Sequence, residues 1–67
     1  MAVSEVIEQR REEYGMPIAE LARRTGIDYQ QLWMSLGGKR GITAGELVAI
    51  CRVLGLSLED FGGERDD

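Results

Sequence analysis

Between Tyr29 and Met34 the chain sets two adjacent amides, Gln30 and Gln31, beside a tyrosine and a Trp33-Met34 pair. Lys39 and Arg40 follow in a loop bounded by Gly38 and Gly41, and Thr43 comes just after. A glutamine amide donates and accepts at once, as the major-groove edge of adenine requires, and apolar side chains suit the thymine methyl. Basic residues in a glycine-rich loop beside a helix N-terminus suit a phosphate. The base-edge candidates are therefore Tyr29, Gln30, Gln31, Trp33 and Met34, and the phosphate candidates are Lys39, Arg40 and Thr43. Each has a plain competitor. Gln30 and Gln31 are also ordinary solvated helix residues, and Lys39-Arg40 an ordinary basic loop. An outward Trp-Met pair is unusual unless something covers it. Trp33 and Met34 thus equally suit a protein partner, and Trp33 the edge of the core. The loop is not a nucleotide-binding P-loop, because the upstream glycine is missing and no Ser or Thr follows Lys39.

Other chemistries lack their parts. The chain has no histidine and one cysteine, Cys51, so no metal site at ligand spacing is expected and no cofactor is implied. Nucleophile-base pairs are hard to assemble without histidine, and an enzyme is not expected. Cys51 falls on an apolar stripe and reads as a small buried hydrophobe. The start lacks a signal-peptide pattern. The longest apolar run, Leu47 to Cys51, is far too short for a bilayer. A cytoplasmic, nucleoid-associated protein without a membrane role is the expectation.

These residues need elements to position them. The length of 67 residues, with 43% hydrophobic and 30% charged, suits one small domain. The apolar periodicity predicts an all-α fold of five helices at about 4–14, 17–25, 28–36, 43–54 and 57–61. Ser4 is the expected cap of the first, with Val3, Ile7, Arg11 and Tyr14 near one face. Pro17 suits the first turn of the second, whose inner face carries Ile18, Leu21, Ala22 and Thr25. Gly26 suits the left-handed residue that stops it. Asp28 and Gln31 form a variant capping box for the third helix, with Leu32, Ser35 and Leu36 inward. Thr43 and Glu46 form a capping box for the fourth, whose buried stripe is Leu47, Ile50, Cys51 and Leu54. Ser57 caps the short last helix. The domain is expected to span 1–61, with 62–67, GGERDD, a flexible acidic tail.

A tight glycine-containing turn between two short helices is the helix-turn-helix arrangement, which presents its second helix outward to a groove. The run Pro17 to Phe61 resembles the lambda-repressor and Cro-like helix-turn-helix domains, the XRE family. The resemblance rests on Glu20-Leu21-Ala22, Thr25-Gly26-Ile27, Leu32, Gly38-Lys39-Arg40 and Leu54-Gly55-Leu56-Ser57-Leu58. It implies that Leu21, Ala22, Gly26 and Leu32 set the helix-turn-helix geometry, and that phosphates are met near Lys39 and Arg40. Three positions depart from the family pattern. Ser35 stands where an apolar core residue is usual. Leu36 stands where many members place a glutamate that pairs with a helix-one arginine, here Arg11. Ile18 replaces a polar residue that often touches a phosphate.

Net charge is −4, a handicap for binding a polyanion. The carboxylates gather at the two ends, however. In the stretch 16–56, Arg23, Arg24, Lys39, Arg40 and Arg52 outnumber Glu20, Asp28 and Glu46. The leading expectation is a sequence-specific DNA-binding transcriptional regulator, a repressor of phage, prophage or plasmid type. It would bind a double-stranded DNA operator as a homodimer, with Leu56, Leu58 and Phe61 as candidate dimer contacts. The alternative is a protein-interaction module, an antitoxin-like or anti-repressor subunit that uses Trp33 and Met34 on a protein partner.

Overall fold

The computed structural model describes residues 2–62, so the expected acidic tail lies, apart from Gly62, outside the described residues. Four α-helices run in order: α1 (Val3–Glu13), α2 (Ile18–Thr25), α3 (Tyr29–Leu36) and α4 (Ala44–Leu54). The expected fifth helix is a single 3-10 turn, Leu58–Phe61. Four residues are too few for a stable α-helical ladder, and Gly62 closes the turn in the left-handed region.

Apolar spacing explains which faces turn inward. On α2, Leu21 and Ala22 are buried, and Ile18 packs against them from a half-buried position. The α3 stripe of Leu32, Ser35 and Leu36 is buried, as are Ile50 and Leu54 of α4. α2 packs on both α3 and α4, and α1 closes the other side. The core joins Val6, Ile7, Met16, Leu21, Ala22, Leu32, Leu36, Ile50, Leu54 and Leu56.

The start of α1 differs from expectation. Ala2, not Ser4, is the N-cap, and the Glu5 carboxylate accepts from the Ala2 N–H at 3.1 Å. A carboxylate reaching back to the first free N–H supplies the cap, and the helix begins one residue before Ser4. Its inner face rotates accordingly. Val3 and Tyr14 are exposed, while Val6 joins Ile7 inside.

The turn between α2 and α3 is held by short-range bonds. Gly26 has φ 76° and donates its N–H to Ala22 O at 2.9 Å. The Thr25 hydroxyl donates to Leu21 O at 2.8 Å and accepts from the Ile27 N–H at 3.4 Å. Asp28 Oδ2 accepts from the Gln31 N–H at 3.1 Å, so half of the expected capping box forms. A Cβ at Gly26 would meet nothing within 4 Å, so its cost there is purely backbone. Gly26→Ala is expected to lose about 1 kcal/mol from forcing an L-residue to positive φ, or roughly 4–8 °C in melting temperature for a domain of this size. Thermal unfolding followed by circular dichroism checks it.

One side chain ties the two ends of the fold together. Arg10 donates through Nη1 to Leu54 O at 3.0 Å and to Gly55 O at 3.2 Å, and through Nη2 to Asp60 Oδ1 at 3.3 Å. A guanidinium on the terminal carbonyls of α4 also complements that helix's dipole.

Candidate nucleic-acid interface

With Leu32, Ser35 and Leu36 buried, helical geometry turns Gln30, Met34 and Gly37 outward, with Trp33 on one flank and Gln31 on the other. Tyr29, Trp33 and Met34 keep 50%, 51% and 39% of their surface exposed, and Gln30 and Gln31 are also exposed. All five base-edge candidates are exposed, with Gln30 and Met34 on the outward line and Tyr29 and Gln31 on opposite flanks of α3. α3 itself contains no acidic or basic residue. Tyr29, Gln30, Gln31, Trp33 and Met34 stay open to solvent, and the carboxylates nearest to them are Asp28 at the N-cap of α3 and Glu8 in the cleft beside Trp33.

The basic groups around it are mostly engaged. Arg11 grips Glu8 through Nε at 2.8 Å and Nη2 at 2.7 Å, and donates to Met16 O at 2.8 Å. Leu36, at the position where the resemblance led one to look for a glutamate, is buried, and Arg11 finds its carboxylate one turn back on α1 instead. Arg23 and Arg24 both bind Glu20, at 2.6 Å from each to Oε2.

Arg40 is the notable case. Its guanidinium donates to Glu46 Oε1 at 3.2 Å, to Glu46 Oε2 at 2.9 Å and to Ser35 Oγ at 2.7 Å. Glu46 Oε1 also accepts the Thr43 N–H at 3.1 Å, and Thr43 Oγ1 accepts the Glu46 N–H at 3.2 Å. The Glu46 carboxylate thus takes both the Arg40 guanidinium and the Thr43 N–H beside the start of α4. Among the described residues, Lys39 and Arg52 are the basic side chains without a carboxylate in ion-pairing range. Lys39 shares a shallow cleft at the edge of α3 with Trp33, Ile18, Gly37 and Glu8, whose carboxylate is held by Arg11.

The Ser35–Arg40–Glu46 link was missed by sequence reasoning, although it left a signal. A hydroxyl at a buried position needs a partner, and Ser35 is 3% exposed. Which side chain supplies that partner depends on the path of loop 37–42.

These pairs set the response to acid. Hydrogen bonds from Arg23 and then Arg24 hold the Glu20 carboxyl at about 2, against an ordinary value of 4.5. Glu46 is lowered by Arg40 and by the Thr43 N–H, and Asp60 by the Ser57 N–H. A carboxylate whose folded value is depressed contributes stability above its unfolded value and loses it as pH falls through the folded one. With no histidine in the chain, the melting temperature is expected to stay flat between about pH 6 and 8. It should fall progressively from about 4.5 toward 2. A step near neutrality in a pH series of thermal melts would contradict this.

Between α4 and the Leu58–Phe61 turn, Leu47, Val48, Cys51, Leu58 and Phe61 line an apolar cleft. Val48 is 52% and Leu58 80% exposed. Of the three candidate dimer contacts, Leu56 is buried in the core, so Leu58 and the half-buried Phe61 are the ones open to a partner. Burial, with Asp60 nearby, pushes the Cys51 thiol up, so it remains a thiol at neutral pH.

Among the described residues, no three potential metal ligands come together, and no helix is long and apolar enough to cross a membrane. The sequence model of the Cro/C1-type HTH DNA-binding domain family matches residues 6–62. No curated protein and no solved structure matches the chain.

Proposed function

Because the chain belongs to the Cro/C1-type helix-turn-helix DNA-binding domain family, we propose that it is a sequence-specific transcriptional regulator reading the major groove with α3. We further assign it to the repressors of phage, prophage or plasmid type, acting in the cytoplasm on the nucleoid. The observation that carries this reading is the open, uncharged outer face of α3. A helix fits the major groove, and specificity there comes from side chains that reach base edges. Residues 1–61 form the working domain.

Lys39 is the leading phosphate contact on this reading, and Thr43 is the second. Arg40 braces the loop that presents Lys39. The two roles separate by substitution. Lys39→Ala should weaken binding to all duplexes alike and reduce the salt slope by about 1 per protomer, with an unchanged melting temperature. Arg40→Ala should lower the melting temperature, because it leaves Ser35 Oγ only its long 3.4 Å bond to Gly41 O and the Glu46 carboxylate only the Thr43 N–H. Parallel melts and binding isotherms check the pair.

A single domain makes few phosphate contacts, and a two-fold operator bound by a homodimer supplies twice as many. The cleft around Val48, Leu58 and Phe61 is the surface for that contact. Selection from a random duplex library at two salt concentrations tests the whole reading. Enrichment of a two-fold site supports it, and retention of no duplex at low salt sinks it.

A second reading draws on one observation. Trp33 and Met34 form an exposed apolar pair on a surface whose arginines are largely neutralised. An antitoxin-like or anti-repressor subunit would use that pair on a protein. Trp33→Ala would then release a co-purifying protein while leaving DNA affinity untouched.

A further inference from the structure

We propose that α3 reads A·T base pairs, with Gln30 on an adenine and the apolar Trp33–Met34 edge on thymine C5-methyl groups. The inference rests on the DNA-binding reading above and narrows it to a class of operator. The chemistry of the exposed face decides the class. Guanine is read most often by the forked donors of arginine or by lysine, and the cytosine amino group by a carboxylate. No such residue occurs in Tyr29–Leu36. What the face does present is amide and apolar surface. Gln30 is at its centre, and a glutamine pairs bidentately with adenine N6 and N7. Met34 is on the same outward line one turn later and is 39% exposed, with Trp33 at 51% on the flank. Thymine alone among the four bases offers a methyl group in the major groove, and apolar contact with it is the match available to these two side chains. Lys39 lines the same shallow cleft as Trp33, so a phosphate contact through Lys39 falls at the Trp33 edge of the helix.

The test uses the full chain and a duplex library with a randomised core. The expected result is a selected half-site whose core is made of A·T pairs. Replacing its thymines singly by deoxyuridine removes one methyl each and should weaken binding by roughly four-fold at one or more positions, the value of one buried methyl. Met34→Ala or Trp33→Ala, each confirmed as folded by its melting curve, should abolish that dependence at its own position. Selection of a core of G·C pairs, or indifference to deoxyuridine at every position, overturns the inference and leaves the DNA-binding reading standing. Retention of no duplex at all overturns both.

Discussion

Leu32→Ala is expected to bring the folded and unfolded chain to comparable populations at 25 °C. Leu32 is 1% exposed and sits where α3 meets the rest of the core. Truncating a buried leucine to alanine costs about 2–5 kcal/mol, with the higher values where the surroundings cannot collapse into the space. One small core without disulfides or metals supplies roughly 3–5 kcal/mol in total. The two quantities are of the same size, so the loss is near-complete rather than partial. Leu32→Met, which keeps the volume, should cost less than about 1.5 kcal/mol and remain folded. Urea unfolding followed by circular dichroism distinguishes the two. A cooperative transition for Leu32→Ala at a midpoint close to that of the parent would show that α3 is not anchored through this residue.

Gln30→Ala is expected to have the opposite profile, with a melting curve like the parent's and a large loss of specific binding. Gln30 is exposed and no hydrogen bond to its side chain contributes to the fold. A good bidentate contact to a base contributes about 1–3 kcal/mol of discrimination, or roughly 5- to 150-fold per half-site. The loss should be confined to the selected operator. Non-specific affinity, carried by phosphates, should change little. Equal weakening on operator and random duplex would mean that Gln30 does not read a base.

Much of this layout was legible from residue patterns, and the failures have physical causes. The turn at Gly26 was readable because a left-handed residue after an apolar helical stripe has few alternatives to glycine. The Thr43–Glu46 box was readable because both partners lie within one turn of each other. The same local logic misplaced the cap of α1. Ser4 is a good cap by type, but Glu5 already satisfies the N–H of Ala2 from inside the helix. Met16 and Leu56 join the core from the segments that follow α1 and α4, where periodicity offers no guide. Contacts between distant parts were hidden altogether. Arg10 clasps Leu54, Gly55 and Asp60, and nothing in the neighbourhood of Arg10 announces it. The partners of Arg40 were hidden in the same way, since only the fold brings Glu46 and Ser35 to its guanidinium.

The placement also bears on the acidic balance of the chain. Pairing Arg11, Arg23, Arg24 and Arg40 internally leaves few cations to attract DNA without regard to sequence. A surface of that kind favours discrimination over raw affinity, since phosphate contacts position a protein while base contacts specify its site.

Trp33 is the chain's sole tryptophan and is half exposed on α3, so its fluorescence reports on that helix alone. Acrylamide quenching of Trp33 should be measured with the free protein, with a selected operator and with an unrelated duplex. If α3 enters the groove, the operator will shield Trp33 from acrylamide and shift its emission, and the unrelated duplex will do so far less. Saturating operator binding that leaves the quenching and the emission of Trp33 unchanged would place the DNA on another face of the protein.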